Sequence, residues 1–542
     1  MAPSRGGVTA HSDVLVVGAG PTGLSAALAA MAHGASVRII DRRTQQFRPS
    51  RAMMLHARAL ECLRPLGVTA HLLDRADTAP EARLHLGTRE VRVRLGHVDL
   101  PDTAFPHLTL MRQADVEDVL RAALQARGVH VEWGVEFRGV SSAPAEGRMV
   151  EAELNSAERG PEAHQARFIA GCDGQPSTVR GLIGSAWRGA PYPVEAILAD
   201  VELSGDLEPG LLHVAVGASG LAFLFALGEG ATWRMLATRP ASPGPTAEFG
   251  QLGPSVPCEV LGKLLADSGL PETIDEVRWS AQVPLQHRVA SRFRHGPLFI
   301  AGDAAHAHSP AGGQGMNNGI LDAVNLGWKL GFASHREDSS ELLASYEAER
   351  RPAAREVLAL THLLFFGEAS PHPVARLARS RILPHTAAIL PALLRQKRIP
   401  ASAVRLLAQP FVRYRRSPIS RDGTPSAPRW PHPGDRLPDQ PVIADGHATR
   451  LHELTAEPGV HILLERDAAL DVPVSQLSGL DGAVHSHRLS SHPGRAVVAV
   501  RPDGYVGFRC GAADVDQLRD WLRLVAPMPG APMPGAPMPG AR

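Results

Sequence analysis

The chain has 542 residues, enough for about three domains at roughly 100–200 residues each. Apolar residues make up 44% of it and charged residues 20%, which is typical of a soluble globular protein. The 56 Lys and Arg residues nearly balance the 55 Asp and Glu residues. The resulting net charge of +1 argues against nucleic acid as a partner, because neutralising phosphates requires a basic excess.

Cysteine usage and hydropathy indicate the compartment. The four cysteines, at positions 62, 172, 258 and 510, are far apart and form no C-x-x-C pair. We therefore predict neither a disulfide framework nor a zinc site, and we expect a cytoplasmic protein. The first twelve residues lack the apolar segment of a signal peptide, and the apolar stretches near 24–32 and 356–366 are too short or too interrupted to span a bilayer. We expect no membrane association.

A nucleotide-binding pattern comes first along the chain. An apolar strand over 13–17 runs into the turn Gly18-Ala-Gly-Pro-Thr-Gly23, a helix follows over 24–33, and a second strand ends at Asp41. The first glycine of such a turn permits the sharp bend, the second lets the backbone approach a diphosphate, and the third lets the helix pack on the sheet. The amides at the helix start stabilise the diphosphate. We predict a dinucleotide site that includes Gly18, Gly20, Thr22, Gly23, Asp41 and Arg42.

The remainder divides into sheet-like and helical segments. Residues 84–110 and 188–290 alternate apolar and polar positions between turns, which predicts an antiparallel sheet inserted into the nucleotide fold. Residues 317–408 are mostly helical in pattern, 416–440 have the composition of a linker, and 441–525 show a small αβ pattern. Three copies of Ala-Pro-Met-Pro-Gly near the end predict a disordered tail over 526–542, since proline disrupts both helix and sheet.

Two later segments identify the dinucleotide. Phe168-Ile-Ala-Gly-Cys-Asp-Gly174 is an apolar strand that ends in Asp-Gly. Leu298-Phe-Ile-Ala-Gly-Asp303 is another, and Pro310-Ala-Gly-Gly-Gln-Gly-Met-Asn317 follows it. With these motifs in this order, the chain resembles the class A flavoprotein monooxygenases, the family of para-hydroxybenzoate and phenol hydroxylases, over about residues 12–410. The version PAGGQGMNNGILDAVNLGWKL is most similar to the branch that tailors aromatic polyketides.

The resemblance implies FAD and a set of residues that contact it. Asp303 would bond a ribityl hydroxyl, and Asp173 belongs to the motif that bridges FAD and NAD(P)H contacts. Reduced flavin is anionic at its N1–C2=O edge, and helix N-terminal amides stabilise negative charge. The further positions carried over are Arg51, Arg112, Gln113, Gly313, Met316 and Asn317 toward the flavin, Arg51 and Pro310 as catalytic residues, and Phe223, Phe225 and Met235 toward the substrate.

The resemblance also implies the chemistry. NADPH or NADH would reduce FAD, O2 would add to give a C4a-hydroperoxide, and one oxygen atom would pass to a polycyclic aromatic substrate. Baeyer–Villiger oxidation and epoxidation remain alternatives, because the same flavin chemistry supports them. A binding protein that sequesters an aromatic compound is the alternative of another class. His306 and His308 stand at alternate loop positions, which suits metal binding poorly, and no cluster of Asp, Glu or His accompanies them, so we predict no metal.

The predicted fold class is α/β, with a Rossmann-like FAD-binding domain, an inserted antiparallel-sheet substrate domain and a C-terminal thioredoxin-like domain. The expected boundaries are 12–187 and 286–415 for the FAD-binding domain, with some substrate-domain strands near 84–110, and 188–285 for the substrate sheet. Residues 416–440 would be the linker, 441–525 the C-terminal domain and 526–542 the tail. A homodimer is left open.

Overall fold

The computed structural model describes residues 11–46, 52–86, 89–96, 100, 102–142, 147–216, 220–241, 255–270, 272–370, 372–377, 412–470, 477 and 482–527. Within these residues the strands form two eight-stranded sheets, one seven-stranded sheet and one two-stranded sheet. The fold is mixed α/β, in agreement with the predicted class. No helix in the described ranges is long and apolar enough to cross a membrane.

The strands up to residue 171 are β1 (His11–Val17), β2 (Val37–Asp41), β3 (Met54–Leu55), β4 (Glu81–Leu86), β5 (Arg89–Arg94), β6 (Thr109–Leu110), β7 (Val131–Trp133), β8 (Val135–Val140), β9 (Val150–Ser156) and β10 (Gly160–Gly171). The next group is β11 (Trp187–Ser204), β12 (Leu212–Val216), β13 (Leu221–Phe225), β14 (Trp233–Pro240), β15 (Thr273–Ala290), β16 (Arg294–His295), β17 (Leu298–Ile300) and β18 (His306–Ala307). The last group is β19 (Arg421–Asp422), β20 (Pro441–Ala444), β21 (His447–Arg450), β22 (Val460–Glu465), β23 (Val484–Leu489), β24 (Val497–Val500) and β25 (Val506–Cys510).

The helices are α1 (Pro21–Ala32), α2 (Ala57–Leu63), α3 (Thr69–Leu73), α4 (Gln113–Gln125), α5 (Thr178–Leu182), α6 (Cys258–Asp267), α7 (Gln314–Ala333), α8 (Ser340–Ala369), α9 (Pro373–Leu377), α10 (Leu451–Leu454) and α11 (Val515–Val525). Short 3-10 turns occupy Arg64–Leu66, Gly302–Ala304 and Ala311–Gly313.

The first large sheet has the order β16-β17-β10-β1-β2-β7, and β8 and β9 extend it through β10. β1 lies between β2 and β10 and pairs with both in parallel, so its apolar side chains are buried from both faces. α1 packs closely against α7, because a Cβ at Gly327 would lie only 2.5 Å from the Cβ of Ala29. The predicted strand, turn and helix of the nucleotide pattern are therefore present. They lie against the start of α7.

The second large sheet has the order β18-β15-β11-β14-β13-β12-β4-β5. It contains the strands predicted within 188–290, and β4 and β5 join it from the region near 84. All its pairings are antiparallel except that of β4 with β12, so the sheet is mixed at this edge. One face is covered by α6, whose Leu261 and Leu265 are fully buried there. The other face lies toward the nucleotide fold.

The third large sheet has the order β19-β25-β24-β22-β23-β20-β21 and forms the core of the C-terminal part. The prediction of a linker over 416–440 is wrong. Ile419 and Leu437 are fully buried, Trp430 is 5% exposed, and β19 pairs with β25. The Pro and Gly residues of this segment make turns, while its few apolar side chains supply part of the core.

The structure also changes where the predicted tail begins. Ala526 is fully buried, and its carbonyl oxygen accepts a hydrogen bond from Arg336 Nη1 at 2.6 Å. The predicted disorder of the remaining tail concerns residues 528–542, which lie outside the described residues.

Deleting 528–542 should leave the melting temperature nearly unchanged, because short proline-rich repeats bury little surface. A deletion that starts at 526 removes the buried contact and should lower it. Calorimetry of both truncations against the full chain tests this, and a drop of several degrees for the shorter truncation would contradict it.

Candidate active site

The glycine turn fits a diphosphate. Gly18 has φ +102°, and a Cβ there would lie 2.3 Å from the carbonyl oxygen of Cys172. A Cβ on Gly23 would lie 1.8 Å from the carbonyl oxygen of Gly18, whereas a Cβ on Gly20 would meet nothing within 4 Å. Glycine at positions 18 and 23 therefore permits close packing of the backbone, whereas Gly20 leaves open space beside the N-terminus of α1. Backbone amides at such an open helix start bind anionic groups.

At the end of β2, Asp41 is buried and is held by Arg43. Arg43 Nη2 donates to Asp41 Oδ2 at 2.9 Å, and Ala19 N donates to the same oxygen at 2.8 Å. Burial alone would raise the pKa of Asp41, but the hydrogen bonds and charge of Arg43 outweigh it and lower the pKa. The side chain of Arg42, which the sequence predicts to be part of the dinucleotide site, is exposed. Arg43 is thus the arginine that orients this carboxylate.

Thr22 lies between the turn that carries Asp303 and the start of α7. A Cβ on Gly302 and a Cβ on Gly319 would each lie 2.4 Å from Thr22 Oγ1. Gly302 has φ +59°, a conformation that favours glycine. This packing places half-buried Asp303 directly after β17, beside the glycine turn. Thr22 and Asp303 therefore lie close together, and their predicted contacts with the cofactor stay predictions.

Three segments that are distant in sequence meet at the start of α7. β3 pairs with β6, and Gln113 N donates to Ala52 O at 2.9 Å. The Asn317 side chain donates to Met54 O at 3.0 Å and to Gly313 O at 2.8 Å, and its Oδ1 accepts from His56 N at 2.7 Å. Asn317 therefore joins the 52–56 segment to the 310–313 loop.

One predicted arginine, Arg112, flanks this junction. Arg112 immediately precedes α4, where its Nε donates to Asp115 Oδ2 at 2.6 Å and its Nη1 donates to Gly228 O at 3.4 Å. These contacts connect the junction to the second sheet. Arg51 lies outside the described residues, one position before Ala52, so its role stays a prediction.

The loop Pro310–Gly313 has a backbone that only glycine adopts readily. Gly312 and Gly313 have φ +68° and +63°, and the 20-residue helix α7 starts directly after them without an acidic residue in its first turn. Met316 is 8% exposed within that turn. His56 Nε2 donates to Gly312 O at 2.9 Å, and burial lowers the pKa of His56 to about 4, so its imidazole is neutral at pH 7. Because α7 starts at this loop, the positive end of its helix dipole faces the loop.

A buried carboxylate in α7, which the sequence did not predict, holds several residues of the site in place. Asp322 is fully buried in α7 and accepts from His306 Nε2 at 2.6 Å, Arg350 Nε at 2.6 Å and Gly302 N at 3.0 Å. Burial would raise the pKa of Asp322, but the charge of Arg350 and the contacts with His306 lower it to about 2. His306 is therefore a structural hydrogen-bond donor, and in the described residues no group of three or more potential ligands could hold a metal ion.

Asp173 has structural contacts of its own. Its carboxylate accepts from Ser177 Oγ at 2.6 Å and Thr178 N at 2.8 Å, which caps α5. Burial raises the pKa of this carboxyl group despite these hydrogen bonds. Its predicted contact with the cofactor stays a prediction.

One face of the second sheet lies over the junction. Phe223 and Phe225 stack with ring centroids 6.1 Å apart and pack with Met53 and Leu108. Met235 does not join them. It is fully buried on the opposite face of the sheet, among the leucines of α6, so its assignment to the substrate site is wrong. The register pairs Phe223 with Leu236 instead, and Leu236 packs in the same cluster as Phe223.

The same face contains polar atoms that are buried without partners. Trp279 Nε1 and Thr238 Oγ1 have no hydrogen-bond partner within the described part of the chain. Arg234 and Asp200, both fully buried, form an ion pair through Nη2 and Oδ2 at 2.7 Å, and the guanidinium lies 5.2 Å from the centre of the Trp279 ring. An apolar face with a few buried donors is typical of a small-molecule site.

Comparisons with known proteins agree with this geometry. Residues 11–361 match the FAD binding domain family, and residues 430–529 match the C-terminal region of aromatic-ring hydroxylases. The chain is 30% identical to 12-dehydrotetracycline 5-monooxygenase/anhydrotetracycline 6-monooxygenase of Streptomyces rimosus subsp. rimosus, over 94% of this chain and 98% of that enzyme. It is 35% identical to 6-methylpretetramide 4-monooxygenase of Streptomyces rimosus over 64% of this chain, a match that spans only 61% of that enzyme.

Among solved structures, anhydrotetracycline hydroxylase from Streptomyces rimosus superposes with a TM-score of 0.73 and 26% identity, covering 96% of this chain and 100% of that one. The chain belongs to the FAD-binding aromatic-ring hydroxylases. The relatives named above are monooxygenases, and FAD is the cofactor that the matched domain binds.

Proposed function

We propose that this protein uses FAD and NADPH or NADH to insert one oxygen atom of O2 into a polycyclic aromatic substrate of polyketide type. The observation that carries the proposal is the apolar face of the second sheet, with Phe223 and Phe225, over the junction of the 52–56 and 310–313 segments. The relatives named for 6-methylpretetramide, 12-dehydrotetracycline and anhydrotetracycline support the substrate class.

FAD fits the residues at the site. The open backbone at Gly20 would receive the diphosphate, and Asp41, oriented by Arg43, would meet the ribose end. Asp303 would bond the ribityl chain, and Met316 and Asn317 would hold the pyrimidine edge at the start of α7. Arg112, Gln113 and Asp173 are assigned to the flavin or nicotinamide side of the site by their positions in the family motifs.

When bound, FAD would supply the electrons and the activated oxygen. The chain itself would do three things. The N-terminus of α7 would stabilise negative charge on the reduced flavin, since helix amides and dipole are positive there. Pro310 and the apolar sheet face would keep water away from the reacting groups. Arg51 would add a permanent positive charge beside the flavin.

The unpartnered donors indicate how the substrate is held. Buried polar groups without partners cost free energy, and a ligand oxygen removes that cost. We assign Trp279 Nε1 and Thr238 Oγ1 to carbonyl or phenol oxygens of the substrate. Phe223, Phe225 and Leu236 would cover its aromatic rings.

We further infer a Rossmann-like FAD-binding domain, a substrate domain and a thioredoxin-like C-terminal domain, with the last one starting near 412 rather than at 441 because residues 412–440 pack with it. A homodimer stays open, and a cytoplasmic location is proposed on the sequence alone.

The purified protein should be yellow, release FAD on denaturation, and oxidise NADPH or NADH faster when a polycyclic phenol is added. Absence of any substrate-stimulated oxidation across a panel of polycyclic phenols and quinones would support the binding-protein alternative.

Phe223→Ala should raise KM for the aromatic substrate, whereas Met235→Leu, on the opposite face of the sheet, should not.

Asp303→Ala should weaken FAD binding by about 1.5–3 kcal/mol, because it removes a charged hydrogen bond to the cofactor. Titration of FAD into deflavinated protein, followed by flavin fluorescence, measures this change. Unchanged FAD affinity in the variant would contradict the assigned role.

A further inference from the structure

A tight hairpin of the C-terminal part lies buried against the FAD-binding part. It comprises Arg501–Tyr505, which join β24 to β25, and it is closed by Arg501 N donating to Tyr505 O at 2.8 Å. Arg501 and Asp503 are only 1% and 2% exposed, which is unusual for charged residues in a turn. We call this segment the 501–505 hairpin.

The hairpin contacts α7 and α8 through charged groups. The Arg501 guanidinium donates to both carboxylate oxygens of Glu349 at 2.7 and 2.8 Å. In α7, Lys329 Nζ donates to the same carboxylate at 2.7 Å, and Asn325 Nδ2 donates to Asp503 Oδ2 at 2.8 Å. Each charge in this group has a partner of opposite sign, and the group is complete only when the hairpin is in place.

The hairpin also contacts α2. Arg58 Nη2 donates to the backbone oxygen of Asp503 at 2.5 Å, and the Arg58 guanidinium lies 4.7 Å from the centre of the Tyr505 ring. α2 starts directly after His56, and α7 starts directly after Gly313. These are the ends that Asn317 joins at the flavin site. One hairpin therefore holds both helices whose first residues form that site.

We propose that the 501–505 hairpin is a positioning element for FAD, which couples the C-terminal part of the chain to cofactor affinity by fixing α2 relative to α7. The inference rests on FAD binding at the site described above. Removing one member of a buried ion group leaves the other charges uncompensated, so the group resists partial opening. Because coupling between two sites is reciprocal, FAD must stabilise the docked hairpin as much as the hairpin stabilises bound FAD.

Hydrogen exchange of the full chain tests this reciprocity. Amides of the 501–505 hairpin should exchange more slowly with FAD bound than in deflavinated protein. Amides of the β20–β21 hairpin, which lies toward the other edge of the same sheet, should exchange at the same rate in both states. Equal behaviour of the two hairpins, changed or unchanged, would overturn the proposal.

Asp503→Asn is the matching variant, and Glu465→Gln is its control. Glu465 is 5% exposed, and its carboxylate accepts from Trp430 Nε1 at 3.2 Å and from Ala496 N at 2.9 Å within the C-terminal part. Both variants should lower the melting temperature of deflavinated protein, but only Asp503→Asn should raise the FAD dissociation constant, by about tenfold. If Asp503→Asn does not fold, Arg58→Lys replaces it, because lysine keeps the charge near Glu61 and loses the contact with Asp503. Equal FAD affinity in the hairpin variant and the control would contradict the proposal, and since binding is measured directly, a failure of turnover would not affect the result.

Discussion

Asp322→Asn should lower the free energy of unfolding by about 3–5 kcal/mol and reduce the FAD content of the purified protein. Asp322 is the fully buried acceptor for Arg350 and His306, and it also holds the amide of Gly302, one residue before Asp303. Removing the charge leaves the Arg350 guanidinium buried without its carboxylate, which in other proteins costs about 3–5 kcal/mol.

Urea unfolding of the deflavinated and FAD-loaded forms measures both effects. Asp338→Asn is the matched control, because Asp338 is exposed and accepts a hydrogen bond from Ser340 N at the start of α8, where asparagine serves equally well. A loss of stability in Asp322→Asn no larger than in the control would show that Asp322 does not stabilise the site.

The pH dependence follows from the same contacts. The pKa of Asp322 is lowered from 3.8 to about 2, so its stabilising contribution is present above pH 3.8 and is lost as the pH falls toward 2. Unfolding of wild-type protein between pH 4 and 2 should therefore depend on pH more steeply than unfolding of Asp322→Asn.

The nucleotide turn could be predicted because its requirements are local. The strand, turn and helix are consecutive in sequence, Gly18 has a positive φ, and Gly23 packs against the carbonyl oxygen of Gly18. Which face of a strand meets the substrate could not be predicted in the same way. The alternation of side chains places Trp233 and Met235 on the same side of β14, but it does not show which side α6 covers. The structure shows that both residues pack against α6.

Composition also misled where burial is decided by distant partners. The segment 416–440 has the Pro and Gly content of a linker, yet Trp430 and Leu437 complete a core formed by later strands. Asp322 and Lys329 lie in α7, within the segment that the sequence predicts to be helical. Their partners on α8 come from residues 349 and 350, and no sequence pattern pointed to those pairs.

The ion pair between Arg234 and Asp200 bears on the kind of oxygen transfer. Electrophilic hydroxylation of a phenol requires that the oxygen-donating group be protonated. Nucleophilic attack on a ketone requires that the same group be deprotonated, and a strongly positive site favours that state. Arg51 and Arg234 are the two candidates for such a charge, but Arg234 is bound by Asp200 and lies 3.6 Å from Glu229. Its positive charge is offset by these carboxylates, which favours hydroxylation.

We therefore expect a new hydroxyl group on an aromatic ring rather than a lactone. A phenol and a ketone of the same polycyclic skeleton, each supplied with NADPH under oxygen-18 gas, should give one labelled hydroxyl from the phenol and no labelled lactone from the ketone. Asp200→Asn is the informative variant, because it leaves the Arg234 charge less compensated and should shift product toward the lactone or toward uncoupled hydrogen peroxide. A labelled lactone from the wild-type protein, with no hydroxylated phenol, would reverse the assignment and place this chain with the ketone-oxidising flavoproteins.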